Sequence, residues 1–399
     1  MAAETKGNDW FAVAAYALVA ATSQLLWLTY APLTTEAARH FGVSESAVGW
    51  LAEIFPLLYV LLAIPAGILL DRWLRPTLLA AAGLMLAGAA IRMADNFSAA
   101  LAGQLLIAVA QPAVLAAMTK LAAERVASAS RTTAISIGSA GMFLGILAAL
   151  VLGATIGSSG GFRPLLLINL AVALAAFALA AIALRRPAAH EAEEQFAVGL
   201  RELRAIYTDP VFARLGTMIF LGMGVFNGLA TWLEVLLHPA GVSSSTAGWM
   251  LVALSVCGIA GTLILPPRVA ARGQERGYLQ LAAVAGAVAM GVMAVSGVLP
   301  LQFAVLGALG FFLFGAQPVI LEISERRAGH AAASAAGAIF LAGNLGGIVI
   351  AVGVQAVHKQ PTLAFMLLAL AMFLMAPLAR SLRPGFNEPA VGNGAAAER

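Results

Sequence analysis

Phe41-Gly-Val-Ser-Glu-Ser-Ala-Val-Gly-Trp-Leu51 returns as Ala240-Gly-Val-Ser-Ser-Ser-Thr-Ala-Gly-Trp-Met250, 199 residues further along a chain of 399. A second echo joins Ala110-Gln-Pro-Ala-Val114 to Ala316-Gln-Pro-Val-Ile320, at an offset of 206. Repetition at half the chain length predicts one structural unit used twice. Each copy of the first stretch opens an apolar run. Ser44 and Ser243 stand where a helix wants its N-cap, because a serine hydroxyl accepts a hydrogen bond from an orphan N–H of the first turn. Gly49 and Gly248 then allow close helix approach.

Composition names the medium. Apolar and aromatic residues make up 61% of the chain, charged residues 11%, and the mean hydropathy is +0.92. A soluble domain is about a quarter charged, so this surface is not built for water. One cysteine, Cys257, rules out a disulfide scaffold. A helix needs about 20 apolar residues to cross the hydrocarbon core. Such runs fall near 10–34, 46–70, 77–94, 98–120, 132–156, 162–184, 211–237, 246–265, 278–298, 301–323, 331–356 and 362–381. The fold class read from this is an all-α polytopic membrane protein, with twelve transmembrane helices in two six-helix bundles related by pseudo-two-fold symmetry. Residues 1–184 form the first bundle and 210–381 the second. Residues 185–209 are a linker, and 382–399 a flexible tail. In the linker Phe196, Leu200, Leu203 and Ile206 recur every three to four residues, which predicts a short amphipathic helix. The first apolar run is too long for a cleavable signal peptide.

Basic residues set the orientation. With the N-terminus inside, only Arg39, Arg92, Arg163 and Lys359 of the 23 Lys and Arg fall outside. Both termini are therefore expected in the cytoplasm, in a multi-pass protein of the cell's inner (plasma) membrane. The basic residues are spread over many short loops, which argues against nucleic acid.

Polar groups within a span are costly and usually face protein or a water-filled cavity. Gln111 and Gln317 are the repeat-related pair, each followed by a proline that frees a carbonyl one turn back. Trp27 fits either a cavity or the outer aromatic belt, Tyr30 the belt, and Trp232 the outer closure of a cavity. Glu53 and Arg92 lie at similar depth and are expected to pair; alternatively Glu53 titrates and couples transport to protons. Glu234 is a second candidate carboxylate. Glu322 is expected to face Arg326 and Arg327. No Cys/His metal spacing and no Walker-type loop are present, so no metal, no cofactor and no enzyme activity are expected.

At the end of the second span, Gly67-Ile-Leu-Leu-Asp71-Arg72-Trp-Leu-Arg75 resembles the loop motif G-x-L-x-D-R-x-G-R of the major facilitator superfamily. Gly67, Leu69, Asp71, Arg72 and Arg75 match; Leu74 replaces a glycine. The resemblance implies a cytoplasmic gating latch at Gly67, Asp71, Arg72 and Arg75. Proton-coupled drug exporters of this superfamily carry an arginine in the fourth span and a Gly-Pro pair in the fifth. Here Gln104 occupies the first place, and Gly138-Ser-Ala-Gly141 lacks the proline. Within the superfamily, Trp27-Leu-Thr-Tyr30, Ala108-Val-Ala-Gln111 and Gly343-Asn344-Leu-Gly resemble stretches of the feline leukaemia virus subgroup C receptor family of choline and haem carriers. That resemblance implies substrate contacts at Trp27, Gln111 and Asn344. Asn344 replaces a glutamine, and Asn227 stands where a tyrosine is expected. The function these readings imply is a secondary active or facilitative transporter of a small neutral, zwitterionic or cationic solute, working as a monomer by alternating access. Its substrate residues would be Trp27, Gln111, Asn227, Asn344 and Gln317. The alternatives are a proton-coupled multidrug exporter and a non-transporting membrane receptor of the same fold.

Overall fold

The computed structural model describes residues 8–127, 130–157, 161–186, 208–328 and 332–382. The amphipathic helix expected over 196–207 and the tail from 383 lie outside the described residues. Among these the chain is helical, and twelve helices are long and apolar enough to cross a membrane. They are α1 (Trp10–Trp27), α2 (Glu45–Leu70), α3 (Arg72–Arg92), α4 (Phe97–Arg125), α5 (Arg131–Leu152), α6 (Phe162–Ala183), α7 (Pro210–Leu237), α8 (Ser244–Arg272), α9 (Glu275–Val295), α10 (Leu299–Ala328), α11 (Ala332–Val357) and α12 (Pro361–Arg380). The chain divides into two compact units, Met1–Gln195 and Phe196–Arg399.

Each unit packs its helices in the same pattern. In the first, α4 runs along α2 and α3, α5 along α1, and α6 against α1 and the α2–α3 rod. In the second, α10 runs along α8, α11 along α7, and α12 against α7 and α9. Glycine sets the closest seams, as expected where hydrophobic burial no longer drives association and tight van der Waals contact must. A Cβ on Gly145 of α5 would collide with the Ala21 carbonyl of α1, and one on Gly346 of α11 with the Phe220 carbonyl of α7. Both serine caps form: Ser44 accepts from Ala47 N and Ser243 from Thr246 N, each at 3.2 Å.

The main departure from the sequence reading is in the first span, expected over 10–34. Regular helix stops at Trp27, a 3-10 turn follows over Ala31–Leu33, and a short helix covers Thr34–Phe41. Pro32 has no N–H to give back and its ring clashes with the preceding turn. Gly42, at φ +66°, ends the short helix in the left-handed region. α2 and α3 meet at a kink at Trp73, whose φ −144° and ψ 65° are not helical. A π-helical turn, Gly153–Gly157, closes α5, and the bare face of Gly153 receives the ring of Pro32.

Candidate functional site

Trp27 sits where α1 stops. Its indole N–H donates to Ala52 O of α2 at 3.0 Å. Ala52 is four residues before Pro56, and proline supplies no N–H to the carbonyl one turn back. The indole thus takes a carbonyl that α2 leaves open. The ring lies 6.3 Å from Phe55. Trp27 is therefore tied into the first unit by its polar edge. Tyr30 is not a belt residue: it is buried, with its ring against Phe41 and Phe162.

A helix end leaves its last carbonyls without intrahelical donors. At the end of α1 side chains supply them. Thr29 Oγ1 donates to Leu25 O (3.0 Å) and Leu26 O (3.1 Å). Arg92 Nη1, arriving from α3, donates to Leu26 O (3.3 Å), Thr29 Oγ1 (3.3 Å) and Gln104 Oε1 (3.1 Å). Gln104 Nε2, from α4, donates to Trp27 O (3.4 Å) and Leu51 O (3.0 Å). Asn169 of α6 donates to Thr29 at 2.8 Å. Arg92 is 1% exposed, and its charge faces the negative end of the α1 dipole, which favours a cation. Among the described residues its hydrogen bonds do not include Glu53, so the expected Glu53–Arg92 pair is replaced by this cap. The physical reason is that a broken helix end offers carbonyl oxygens as acceptors at the same depth. Glu53 itself is buried on α2, one residue beyond the carbonyl that holds Trp27.

Gln111 lies two turns beyond Gln104 on α4, on the same face by the 3.6-residue period. It is 4% exposed and makes no hydrogen bond to another described residue. Its repeat partner Gln317 is half-buried on α10. In the second unit Asn227 of α7 is buried, with its amide nitrogen packed against Gly347 of α11 and, among the described residues, no hydrogen-bond partner for Oδ1. Asn344, one turn before Gly347, is half-buried and turns its amide onto Phe340 O of its own helix at 2.9 Å. The structure therefore brings Asn227 onto the stretch of α11 that carries Asn344. It likewise brings Trp27, Arg92 and Gln104 together within the first unit.

Glu234 is 1% exposed and accepts a hydrogen bond from the Ser244 hydroxyl at 3.0 Å, tying the end of α7 to the start of α8. Trp232 is fully buried against His358, with ring centroids 5.4 Å apart, so it is a packing residue and not an outer lid. At the gating motif, Arg72 lies over the Trp73 ring at 4.7 Å, Arg75 is exposed, and a Cβ at Gly67 would meet nothing within 4 Å. The Asp71 side chain lies outside the described residues. Next to it, Lys120 of α4 donates to Leu70 O at 2.7 Å, capping the end of α2.

Two ion pairs that tie a helix N-cap to the end of another helix escaped the sequence reading. Asp9 caps α1, accepting from Ala12 N, and pairs with Arg125 at the end of α4 at 3.5 Å. Asp209 caps α7, accepting from Val211 N, and pairs with Arg327 near the end of α10 at 2.7 Å. Arg327 was expected beside Glu322; among the described residues it is Arg326 that pairs there. The available signal was an aspartate just before the first span of each half and an arginine closing the fourth.

The family model described as Major Facilitator Superfamily matches residues 12–351. The chain belongs to the major facilitator superfamily. Solute carrier family 49 member A3 of Danio rerio is 30% identical over 361 residues, covering 84% of this chain and 76% of that protein. The choline/ethanolamine transporter flvcr2b of Danio rerio is 32% identical over 142 residues, or 34% of this chain and 29% of that one. The resemblance to the feline leukaemia virus receptor-related family is borne out by such relatives. Among solved structures, the nucleoside transporter NupG superposes with a TM-score of 0.73 at 14% identity, covering 93% of this chain and 99% of that one. A bacterial homologue of the lysosomal transporter Spinster gives 0.71 at 16% identity, covering 97% of each. At such identities the likeness establishes the fold of a superfamily transporter.

Proposed function

We propose that this superfamily member is a secondary transporter moving a small organic solute by alternating access, with a neutral, zwitterionic or cationic solute favoured. The observation that carries the charge preference is Arg92. Its guanidinium sits at membrane depth, 1% exposed, with Nη1 on the carbonyl end of α1, so it is closed off from an anionic solute. Gln111 and Asn227 are buried amides with no hydrogen bond to another described residue. Such groups suit a polar solute, because a buried amide left without a partner costs about 1–3 kcal/mol. Trp27 adds a half-buried aromatic face suited to an amine through cation–π attraction. The curated relatives named as choline/ethanolamine transporters support the same class. Asn344 and Gln317 complete the proposed substrate residues. Glu53 and Glu234 are the proposed proton-coupling carboxylates, and Gly67, Asp71, Arg72 and Arg75 the proposed gate. The protein would act as a monomer in the plasma membrane with both termini cytoplasmic.

Uptake and counterflow in proteoliposomes test this, using a panel of amines, amino acids and organic acids with and without a pH gradient. The expected result is exchange of an amine or zwitterion, lost in Trp27→Ala and Gln111→Ala. Exchange confined to organic acids overturns the charge preference. Exchange indifferent to pH and to Glu53→Gln removes proton coupling at Glu53. No exchange of any solute favours the non-transporting receptor.

A further inference from the structure

The polar cluster at the end of α1 does more than fill a helix terminus. Three hydrogen bonds converge on one residue and its neighbour. Arg92 holds Leu26 O, Gln104 holds Trp27 O, and Ala52 O holds the Trp27 indole. The first two are coupled. Gln104 Oε1 accepts from Arg92 Nη1, and this directs the amide nitrogen onto Trp27 O and Leu51 O. Arg92 comes from α3, Gln104 from α4 and Leu51 from α2, so one network joins three helices to the end of a fourth. We propose that Arg92 and Gln104 are positioning residues, clamping the interrupted end of α1 so that the Trp27 ring is presented to the solute in a fixed place.

The second unit argues that the clamp is not a requirement of the fold. It stacks its helices in the same pattern, yet α7 runs unbroken from Pro210 to Leu237 and exposes no carbonyls there. Gly310 of α10 stands 206 residues after Gln104, and a Cβ at Gly310 would strike the Leu254 carbonyl of α8. Where the first unit has an amide, the second has bare backbone contact. A break with four polar side chains around it is therefore an addition to the shared architecture, and its immediate effect is on Trp27. The clamp stands on the geometry alone; its role toward solute rests on the transporter reading above.

Two measurements separate the parts. Hydrogen–deuterium exchange of the segment around residues 28–33, on the purified full chain in nanodiscs, reads the clamp. Uptake kinetics with choline and ethanolamine as probes read the positioning. Gln104→Glu keeps an acceptor for Arg92 but has no donor for Trp27 O or Leu51 O. It is expected to speed exchange of the segment about fivefold, the factor a single net hydrogen bond supplies, and to raise KM by a similar factor at near-normal turnover. The reciprocal double variant, Arg92→Gln with Gln104→Arg, is expected to recover both toward wild type. Unchanged exchange in Gln104→Glu overturns the clamp. Faster exchange with unchanged KM overturns the positioning role, as does a KM that rises only in step with loss of folded protein. If the wild-type chain moves no solute, the transporter reading falls and the positioning role with it, while the exchange result still decides the clamp.

Discussion

In the first unit α1 stops at Trp27 and its last carbonyls go to Arg92, Gln104 and Thr29; in the second, α7 continues unbroken to Leu237. Pro32 in one half stands where Thr231 stands in the other, by the 199-residue offset. Elsewhere the two units repeat each other. The Gly145–Ala21 and Gly346–Phe220 seams correspond, as do the Asp9–Arg125 and Asp209–Arg327 pairs. One shared contact is reversed. Thr35 donates to the Glu45 carboxylate, whereas at the equivalent positions Ser244 donates to Glu234. The bridge needs one hydroxyl and one carboxylate between the end of the first helix and the start of the second, and either side can hold either. What binds helices to each other is thus duplicated, and what shapes the candidate site is not.

The largest effect expected is at the glycine seams. Gly145→Leu and Gly346→Leu each drive a side chain into backbone, which cannot yield as a flexible side chain would, and overpacking of this kind costs about 3 kcal/mol or more. Both should abolish folded protein by size-exclusion and thermal melting. A mild effect at one seam alone breaks the equivalence of the halves.

Next come the ion pairs. Arg125 is 3% exposed and also donates to Arg186 O, whereas Arg327 is 17% exposed. Arg125→Ala is expected to cost about 3 kcal/mol, as for a buried pair with one partner removed. Arg327→Ala should cost about 1.5 kcal/mol, the worth of a charged hydrogen bond. Equal melting shifts would show that burial does not distinguish them.

The reversed bridge offers a subtler contrast. Ser244→Ala takes a donor from a carboxylate that is 1% exposed and is expected to cost about 2 kcal/mol. Thr35→Ala leaves Glu45, which is half-buried and can recruit water, at about 0.5 kcal/mol. Equal losses would mean that the direction of the bond carries no energetic weight.

The smallest effect concerns Glu124, at the end of α4 beyond the apolar span. Burial raises its carboxyl above the usual range, and Lys120 and Arg125 pull it partly back. A carboxyl raised on folding adds stability below its unfolded value and loses it as pH rises through the folded one. Wild-type stability should fall slightly over that window, by less than about 1 kcal/mol for a half-exposed group, and Glu124→Gln should flatten the profile. Near the end of α10 the carboxylate of Glu322 is instead paired with Arg326, so a like dependence is expected only from the first half. A profile unchanged in Glu124→Gln removes this difference between the units.

Much of the architecture was legible in the chain because a span is a local property. Twenty apolar residues between turn signals announce themselves without knowledge of neighbours, and the serine caps at Ser44 and Ser243 are three-residue devices. The break in α1 was harder to see. Pro32 was visible, but the apolar run continued past it, and hydropathy does not register a missing N–H. Partners were harder still. Arg92 was matched with Glu53 because sequence pairs charge with charge, while the folded chain offered it the carbonyls of a helix end. Tyr30 read as a belt residue and Trp232 as the outer closure of a cavity, and both are core, since depth along a helix does not reveal which face is covered.

By itself the sequence determined a membrane-spanning, twice-used six-helix unit and its superfamily, because hydropathy, repeat offset and motif spacing are written along one dimension. The tertiary structure alone decided where each polar tip ends. The carbonyl that Pro56 frees on α2 reaches the indole of Trp27, and one left open at the end of α1 reaches Arg92, only when helices distant in sequence lie side by side. Hydrogen bonds act over about 3 Å, and no spacing along the chain specifies which groups come that close.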